Sequence, residues 1–295
     1  MTGYDARFLG PDDALNVPLP TPVAPDDGAP PRPLRQLDHP HFSILLDPHR
    51  RLAAVAACLV DGAHLHPLRR TGSWRLDAQA PPQEQAGNEL YRDNPLDRGH
   101  LVRRLDPMWG TEAEARVAGE ATFVYTNAAP QVDTFNQSKE LWNGLEDHVL
   151  AYADANDHRL VVHTGCVFDP ADPAYRGIAL PRQFWKVVAW ADGGTVLRSA
   201  AFLLDQSPQL DAADLRAASA RALAVGDVPP LGPYRTFQVP VADVESLTDL
   251  DLGPLVAADV LPAARRAVGP LRVGTVPHGW TPVDSPADLT LTPAR

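Results

Sequence analysis

Cysteine is scarce in this sequence: its 295 residues include two, Cys58 and Cys166. They form no C-x-x-C pair, and two thiols cannot build a framework of several disulfide bridges. This usage is typical of a reduced compartment, although a single bridge between the two stays open. We interpret both cysteines as thiols of the core.

Long hydrophobic runs are also lacking. No apolar stretch approaches the ~20 residues that a membrane-spanning helix needs. The opening stretch, MTGYDARFLGPDDALNVPLP, has no basic segment followed by an apolar one, so it contains no recognisable signal peptide. We therefore expect a cytoplasmic protein that does not bind a membrane.

An excess of positive charge is absent, since the net charge is −11 and the pI is about 5.3. Proteins that coat nucleic acid through a broad cationic surface gain their affinity by releasing many counterions. The charge balance excludes that class, and any contact with nucleic acid must be local. With 44% hydrophobic residues, the chain is long and apolar enough to bury a proper core.

The chain divides into three parts by composition and pattern. Residues 1–36 are dense in proline and show neither a helical nor an alternating period, which predicts an extended arm or linker. Residues 37–252 carry the patterns of one domain. We expect residues 253–295 to form an extension that packs on the same domain.

Short apolar runs rich in Val, Phe, Tyr and Trp predict the strands. The first two runs, HFSILLD and RRLAAVAACLVDG, predict a hairpin, and the later ones are ATFVYTN, RLVVHTGCVF, RQFWKVVAW and GTVLRSAAFLL. Helical spacing predicts a helix over residues 139–155, preceded by Ser138 as its cap. Further helices are predicted in QLDAADLRAASARALAV, VADVESLTDL and LVAADVLPAARRAV. Together these elements predict an α+β fold with a central, mostly antiparallel sheet flanked by helices.

The stretch DRGH at residues 97–100 contains the residue types that phosphodiester hydrolysis requires. His100 is a ready proton acceptor near neutral pH, because the ordinary pKa of histidine is ~6.5. Gly99 lets the backbone approach another group closely. Arg98 could bind a phosphate through its planar guanidinium, and Asp97 could brace the loop or orient a partner. A four-residue string alone is weak support for catalysis.

The helix predicted after this motif brings oxygen ligands. Asn136 lies near its start and Glu146 further along. Their amide and carboxylate oxygens suit a hard cation such as Mg²⁺, which keeps most of its waters. One protein ligand can suffice for such an ion.

DRGH, TNAAPQ, FNQ and WNGLED, in that order, resemble the DNA/RNA non-specific endonucleases, a family with a ββα-metal (His-Me finger) core. The resemblance covers roughly residues 40–252 and includes VVHTGCVF, LPRQFWKVV and VPVADVESLTDLDL. It implies an endonuclease that cleaves DNA and RNA with little sequence preference and leaves 5′-phosphate ends. It also implies one Mg²⁺ ion, with Mn²⁺ as a substitute, and residues 37–252 as the nuclease domain.

The same resemblance implies a role for individual residues. His100 matches the general base, Asn136 the metal ligand, and Glu146 the glutamate that binds a metal-bound water. Asn127 matches the asparagine of the N-x-x-P-Q segment that supports the site. Arg75, in SWRLD, is the best match for an upstream arginine that stabilises the phosphate, with Arg69 and Arg70 close by.

One spacing departs from the family pattern. The asparagine and glutamate of the family usually lie eight residues apart, whereas Asn136 and Glu146 are ten apart. Two extra residues on an uninterrupted helix rotate a side chain by about 200°. The helix could start later, near residue 139, or have an irregular first turn; alternatively Asn143 or Glu140 replaces one of the pair. We favour the later start.

Other residues have plainer interpretations. His39 with His41, and His64 with His66, alternate as two metal ligands on one strand face would, but no third type of ligand converges on either pair. His163 within VVHTG is interpreted as a core histidine. Trp142, Trp185 and Trp190 are interpreted as packing residues rather than platforms for base stacking.

Two other functions stay open at this point. One is a catalytically inactive nuclease fold that serves as a binding module, and the other is a phosphodiesterase that acts on a small substrate, which the acidic charge favours. A non-specific nuclease inside a cell must be controlled. We therefore expect regulation by a partner or by assembly into a homodimer. The expected substrates are DNA and RNA, as the family resemblance implies.

Overall fold

A computed structural model gives the fold of most of the chain. It describes residues 3–25, 27–94, 96–132, 158–207, 210, 235–261, 279–284 and 288–291. The predicted helix over residues 139–155 lies outside the described residues, as does nearly all of the helix predicted in QLDAADLRAASARALAV. The helix predicted in LVAADVLPAARRAV is wrong over its described first half, residues 255–261, where a 3₁₀ turn ends at Leu255 and Asp259 forms a β-bridge with Ser199.

The described residues form fourteen strands and three α-helices. The strands are β1 (Thr21–Pro22), β2 (Arg35–His39), β3 (Phe42–Asp47), β4 (Leu52–Asp61), β5 (Leu96–His100), β6 (Ala128–Val132), β7 (Arg159–Val167), β8 (Ala174–Tyr175), β9 (Ile178–Ala179), β10 (Gln183–Asp192), β11 (Val196–Asp205), β12 (Arg235–Val239), β13 (Leu250–Asp251) and β14 (Thr281–Pro282). The helices are α1 (Asn88–Tyr91), α2 (Glu112–Ala121) and α3 (Val241–Thr248).

Eight of these strands form one antiparallel sheet in the order β14-β12-β11-β10-β7-β4-β3-β2. The predicted hairpin is β3–β4, and RLVVHTGCVF, RQFWKVVAW and GTVLRSAAFLL form the central strands β7, β10 and β11. The α+β class with a central antiparallel sheet is therefore confirmed. Among the described residues, no helix has the length and apolar character needed to cross a membrane.

Each face of the sheet is covered by a separate hydrophobic layer, because successive side chains of a strand point to opposite faces. On β10, Phe184 and Val188 belong to one layer, whereas Trp185 and Val187 belong to the other. The first layer packs beneath α1, β5, β6 and the end of α2. The second layer packs beneath the N-terminal segment and α3.

The N-terminal segment contributes apolar side chains to the second layer. Phe8, Leu15 and Val17 are buried there. The Tyr4 hydroxyl donates to the Val17 carbonyl (2.7 Å) and lies 3.2 Å from Nε2 of His163. His163 is fully buried in β7, which agrees with its interpretation as a core histidine.

The prediction of a strand at ATFVYTN is wrong. Ala121 ends α2, a single 3₁₀ turn spans Tyr125–Asn127, and the strand β6 begins at Ala128. Helix α2 starts at a capping box, in which Thr111 and Glu114 bond each other's backbone N–H groups. The aromatic and β-branched residues of ATFVYTN fill the core here rather than forming a ladder.

Candidate active site

The strands β5 and β6 form an antiparallel pair separate from the large sheet. Its register places His100 opposite Ala128 and Gly99 opposite Ala129. The buried side chain of Gln131 lies against Gly99, where an added Cβ atom would be 2.0 Å from Gln131 Oε1. Only glycine allows this close approach, which explains its place in DRGH.

Asn127 fixes the backbone that follows His100. Its buried side chain accepts from the Val102 N–H (2.8 Å) and donates to the carbonyls of Val102 (2.9 Å) and Thr122 (3.0 Å). Its own carbonyl accepts from Leu101 N–H (3.0 Å). These partners determine the orientation of the amide, since one is a donor and two are acceptors. The Asn127 side chain thus provides hydrogen bonds to the backbone just beyond the end of the β5–β6 pair.

The imidazole of His100 is half-buried among aromatic rings. Its ring centroid lies 4.5 Å from that of Trp74 and 4.9 Å from that of Phe123, whose ring is perpendicular to it. Burial, followed by the positive charges of Arg70 and Arg104, lowers the pKa of His100 to about 3. Nε2 is buried without a hydrogen-bond partner among the described residues. Burial thus favours the neutral form of the ring.

Arg98 and Asp97 lie on opposite sides of β5, because side chains alternate along a strand. The Arg98 guanidinium donates to Asn88 Oδ1 (2.6 Å) and lies 5.3 Å from the centroid of the Tyr91 ring. Asp97 is half-buried and pairs with Gln131 in the register of β5 and β6. The roles of Arg98 in phosphate binding and of Asp97 as a brace stay predictions.

The upstream arginines differ in their relation to His100. Arg75 is exposed, and its Nη1 donates to the Glu120 carbonyl (3.1 Å). The Arg70 guanidinium lies 4.9 Å from the centroid of Phe123, the same ring that contacts His100. Arg70, and not Arg75, is among the charges that lower the pKa of His100. This arrangement favours Arg70 as the upstream arginine of the site.

The arginines near His100 differ from many others in the chain because they form no salt bridge with a carboxylate among the described residues. Salt bridges with carboxylates involve Arg7, Arg35, Arg50, Arg51, Arg92, Arg116, Arg159, Arg198 and Arg235. In the part of the chain that the structure describes, Arg70, Arg75, Arg98 and Arg104 form no such bridge. Near His100, the described residues therefore provide arginines that no carboxylate among them pairs with, in a protein of net negative charge.

A buried polar network lies behind the site. The Asp77 carboxylate bonds His39 Nε2 (3.0 Å) and accepts from the Thr126 hydroxyl (2.9 Å), next to Asn127. Gln85 bonds the Asp77 backbone N–H (2.8 Å). The pKa of Asp77 is lowered: burial raises it, but the hydrogen bonds from His39, Gln79 and Thr126 outweigh that effect.

The paired histidines that alternate in the sequence have other partners. His41 bonds the Pro107 carbonyl (2.7 Å) and stacks on Trp109, and His66 bonds the Gly110 carbonyl (2.8 Å). Within the described ranges, no group of three or more His, Cys, Asp and Glu residues could hold a metal ion. Asn136 and Glu146, and their alternatives Glu140 and Asn143, lie outside those ranges.

Comparison with known proteins places this geometry in a family. A family model described as DNA/RNA non-specific endonuclease matches residues 29–259. The chain belongs to the DNA/RNA non-specific endonuclease family. The motif DRGH, Asn127 and the arginines Arg70, Arg98 and Arg104 lie within the matched region.

Individual relatives are consistent with that membership. The chain is 35% identical over 285 residues to the uncharacterized protein y4fB of Sinorhizobium fredii. This alignment covers 88% of this chain and 40% of that protein. It is 25% identical over 202 residues to human mitochondrial endonuclease G, covering 64% of this chain and 59% of that protein. The chain thus spans less than two thirds of the length of both proteins.

A solved structure shows the same fold. A chain in the crystal structure of the EndoG/EndoGI complex, which concerns the mechanism of EndoG inhibition, matches with a TM-score of 0.55 at 18% identity. The match covers 73% of this chain and 84% of the other. At this identity the likeness concerns the fold alone.

Some contacts within this candidate site could not be predicted from the sequence. The partners Asp77 and His39 are separated by 38 positions, so no local pattern links them. Arg104 follows DRGH closely, but its fixed position depends on the carbonyl of Leu68, 36 residues earlier.

Proposed function

We propose that this protein is a metal-dependent endonuclease that hydrolyses phosphodiester bonds of DNA and RNA with little sequence preference and leaves 5′-phosphate ends. One observation carries this proposal: a half-buried histidine lies near Arg70 and Arg104, neither of which pairs with a carboxylate among the described residues, in a chain of net charge −11. Such an arrangement supports local binding of a polyanion next to a proton acceptor.

His100 is the general base in the proposed reaction. Its neutral ring takes a proton from the attacking water, and Asn127 keeps the backbone after His100 in place while the ring acts. Arg70 and Arg98 bind the phosphate and stabilise the charge that develops on it. Arg75 keeps its predicted role only if its guanidinium leaves the Glu120 carbonyl.

A divalent cation completes the proposed site. The available donors, Asn136 and Glu146, offer an amide and a carboxylate oxygen, a set that fits Mg²⁺, with Mn²⁺ as a substitute. A bound ion of this kind supplies positive charge to the phosphoryl and leaving oxygens. Asn136 would hold the ion, and Glu146 would orient a water beside the leaving 3′ oxygen.

The test compares cleavage of supercoiled plasmid and of a long RNA by the wild type and by His100→Ala, with Mg²⁺ or with EDTA. We expect the wild type to degrade both substrates in the presence of Mg²⁺ and neither in the presence of EDTA. His100→Ala should keep its melting temperature and lose about 10²–10⁴-fold in turnover, the usual contribution of a general base. Near-full activity in folded His100→Ala would remove His100 from the mechanism.

The same assay separates the alternative functions. An inactive binding module would retain the plasmid in a gel-shift experiment without cutting it under any metal condition. A phosphodiesterase for small substrates would cleave a chromogenic diester that plasmid DNA fails to inhibit. Regulation by a protein partner, as the EndoG/EndoGI complex suggests, is proposed as a further property of this enzyme.

A further inference from the structure

Arg104 is held in a fixed position beside the candidate active site. It lies on the segment that follows DRGH, two residues after Val102, whose backbone Asn127 clamps. Its Nη1 donates to the Leu68 carbonyl (2.8 Å) and lies 3.2 Å from Met108 Sδ. The guanidinium is therefore preorganised, whereas an ordinary surface arginine must lose rotamer freedom when it binds a ligand.

The positive charge of Arg104 is not neutralised by the described residues. Arg116 borders the same recess, but it forms a salt bridge with Glu112 at 2.8 Å, whereas Arg104 forms none. Glu120 also borders this recess, and its carboxylate accepts from the Thr71 hydroxyl (2.9 Å). Burial and then the charges of Arg70 and Arg103 lower the pKa of Arg104.

Arg70 and Arg104 lie close enough for their positive charges to repel each other, and a bound anion relieves that repulsion. Arg104 and Arg70 both act on His100, yet they come from different segments, after DRGH and before Trp74. A polynucleotide offers more than one phosphate to such a site, because every nucleotide adds one. Two arginines on separate segments can therefore bind separate phosphates.

We propose that Arg104 forms a subsite for the phosphate next to the one that is cleaved. The subsite rests on the proposed nuclease function and specifies its substrate class: nucleic acid strands with at least two phosphodiesters, in preference to single diesters. Arg70 and Arg98 serve the cleaved phosphate. Arg104 contacts only the neighbouring one and so contributes to binding rather than to the chemical step.

The test measures kcat and KM on oligothymidylates of two, three and six nucleotides, which contain one, two and five phosphodiesters. For the wild type, kcat/KM should rise when the second phosphodiester is added. Arg104→Met should lose about tenfold or more of kcat/KM on the longer substrates, mainly through KM, and less than about twofold on the dinucleotide. Arg104→Lys, which keeps the charge, should recover part of the loss.

Arg116→Met is the matched control, because Arg116 borders the same recess but is neutralised by Glu112. It should leave the length dependence unchanged. An equal loss on all three substrates in Arg104→Met, or no loss on any, would overturn the subsite. A loss confined to kcat would also overturn it, since it would place Arg104 in the chemistry of the cleaved phosphate.

A binding measurement distinguishes failure of the subsite from failure of the proposed function. In the His100→Ala background, the slope of log affinity against log salt for the six-nucleotide strand should fall by about 0.7 when Arg104 becomes Met, as for one lost phosphate contact on a single strand. If the wild type cleaves nothing, the nuclease proposal fails while this slope still tests Arg104. An unchanged slope would refute the subsite in either case.

Discussion

Replacement of Asn127 by alanine should both destabilise the protein and lower its turnover. The change leaves three buried backbone groups without their partner: the N–H and the carbonyl of Val102, and the carbonyl of Thr122. A buried polar group that loses its hydrogen bond costs ~1–3 kcal/mol. Because neighbouring groups relax and partly compensate, we expect the free energy of unfolding to fall by about 3–5 kcal/mol.

The effect on melting temperature follows from this estimate. For a domain of this size, 1 kcal/mol corresponds to about 2–4 °C, so Asn127→Ala should melt about 6–20 °C below the wild type. Turnover should fall at least tenfold even where the variant is fully folded. The cause is the release of residues 101–102, which directly follow His100.

A matched control separates loss of stability from loss of catalysis. Gln238 is another fully buried amide, and it bonds both backbone groups of Thr290 (2.7 and 2.8 Å) in the outer part of the large sheet. Gln238→Ala should lower the melting temperature but keep kcat at 25 °C. The measurements are differential scanning calorimetry and plasmid cleavage with Mg²⁺. If Asn127→Ala melts within about 3 °C of the wild type, or keeps its turnover, the clamp does not act as described.

Three further outcomes are expected. Gly99→Ala should reduce stability and turnover because its Cβ would lie 2.0 Å from Gln131 Oε1, and the second change Gln131→Ala should restore much of both; no rescue would mean that the clash is elsewhere. An NMR titration of the metal-free protein should find His100 neutral at pH 5. Because the ring takes up a proton near pH 6.5 in the unfolded chain but only near pH 3 in the folded one, the free energy of unfolding should fall as the pH drops from about 6.5 towards 3. The fall should be smaller in His100→Asn. Asn136→Ala should lose metal-dependent cleavage more severely than Asn143→Ala, and the reverse order would show that the two-residue insertion shifts the metal ligand.

Much of the central sheet could be predicted from the sequence because its strands are buried on both faces. Apolar runs such as VVHTGCVF and WKVVAW suit only such strands, and they form β7 and β10. Helix α2 was not predicted, because its alanines and charged residues give only a weak apolar stripe. The strand predicted at ATFVYTN failed because β propensity reports burial and packing as well as pairing.

The sequence predicts the parts of the site that depend on residue type alone. It does not predict the parts that depend on the direction in which a side chain points. His100 stands out because histidine is the side chain that exchanges protons near neutral pH. The choice between Arg70 and Arg75 depends on which way each points from the segment around Trp74, and the sequence contains no signal for that. Asn127 could equally have closed a turn, since only the fold brings Val102 and Thr122 to its amide.

The second hydrophobic layer constrains the order in which the chain can fold during synthesis. Phe8 and Val17 are synthesised well before Val241, Val244 and Leu255, which complete the same layer. At ~5–20 residues per second, the later side chains follow the earlier ones by roughly 10–50 s. Phe8 can contact Trp109 and Arg159 before α3 is made, but the layer stays incomplete until Val241, Val244 and Leu255 have been added.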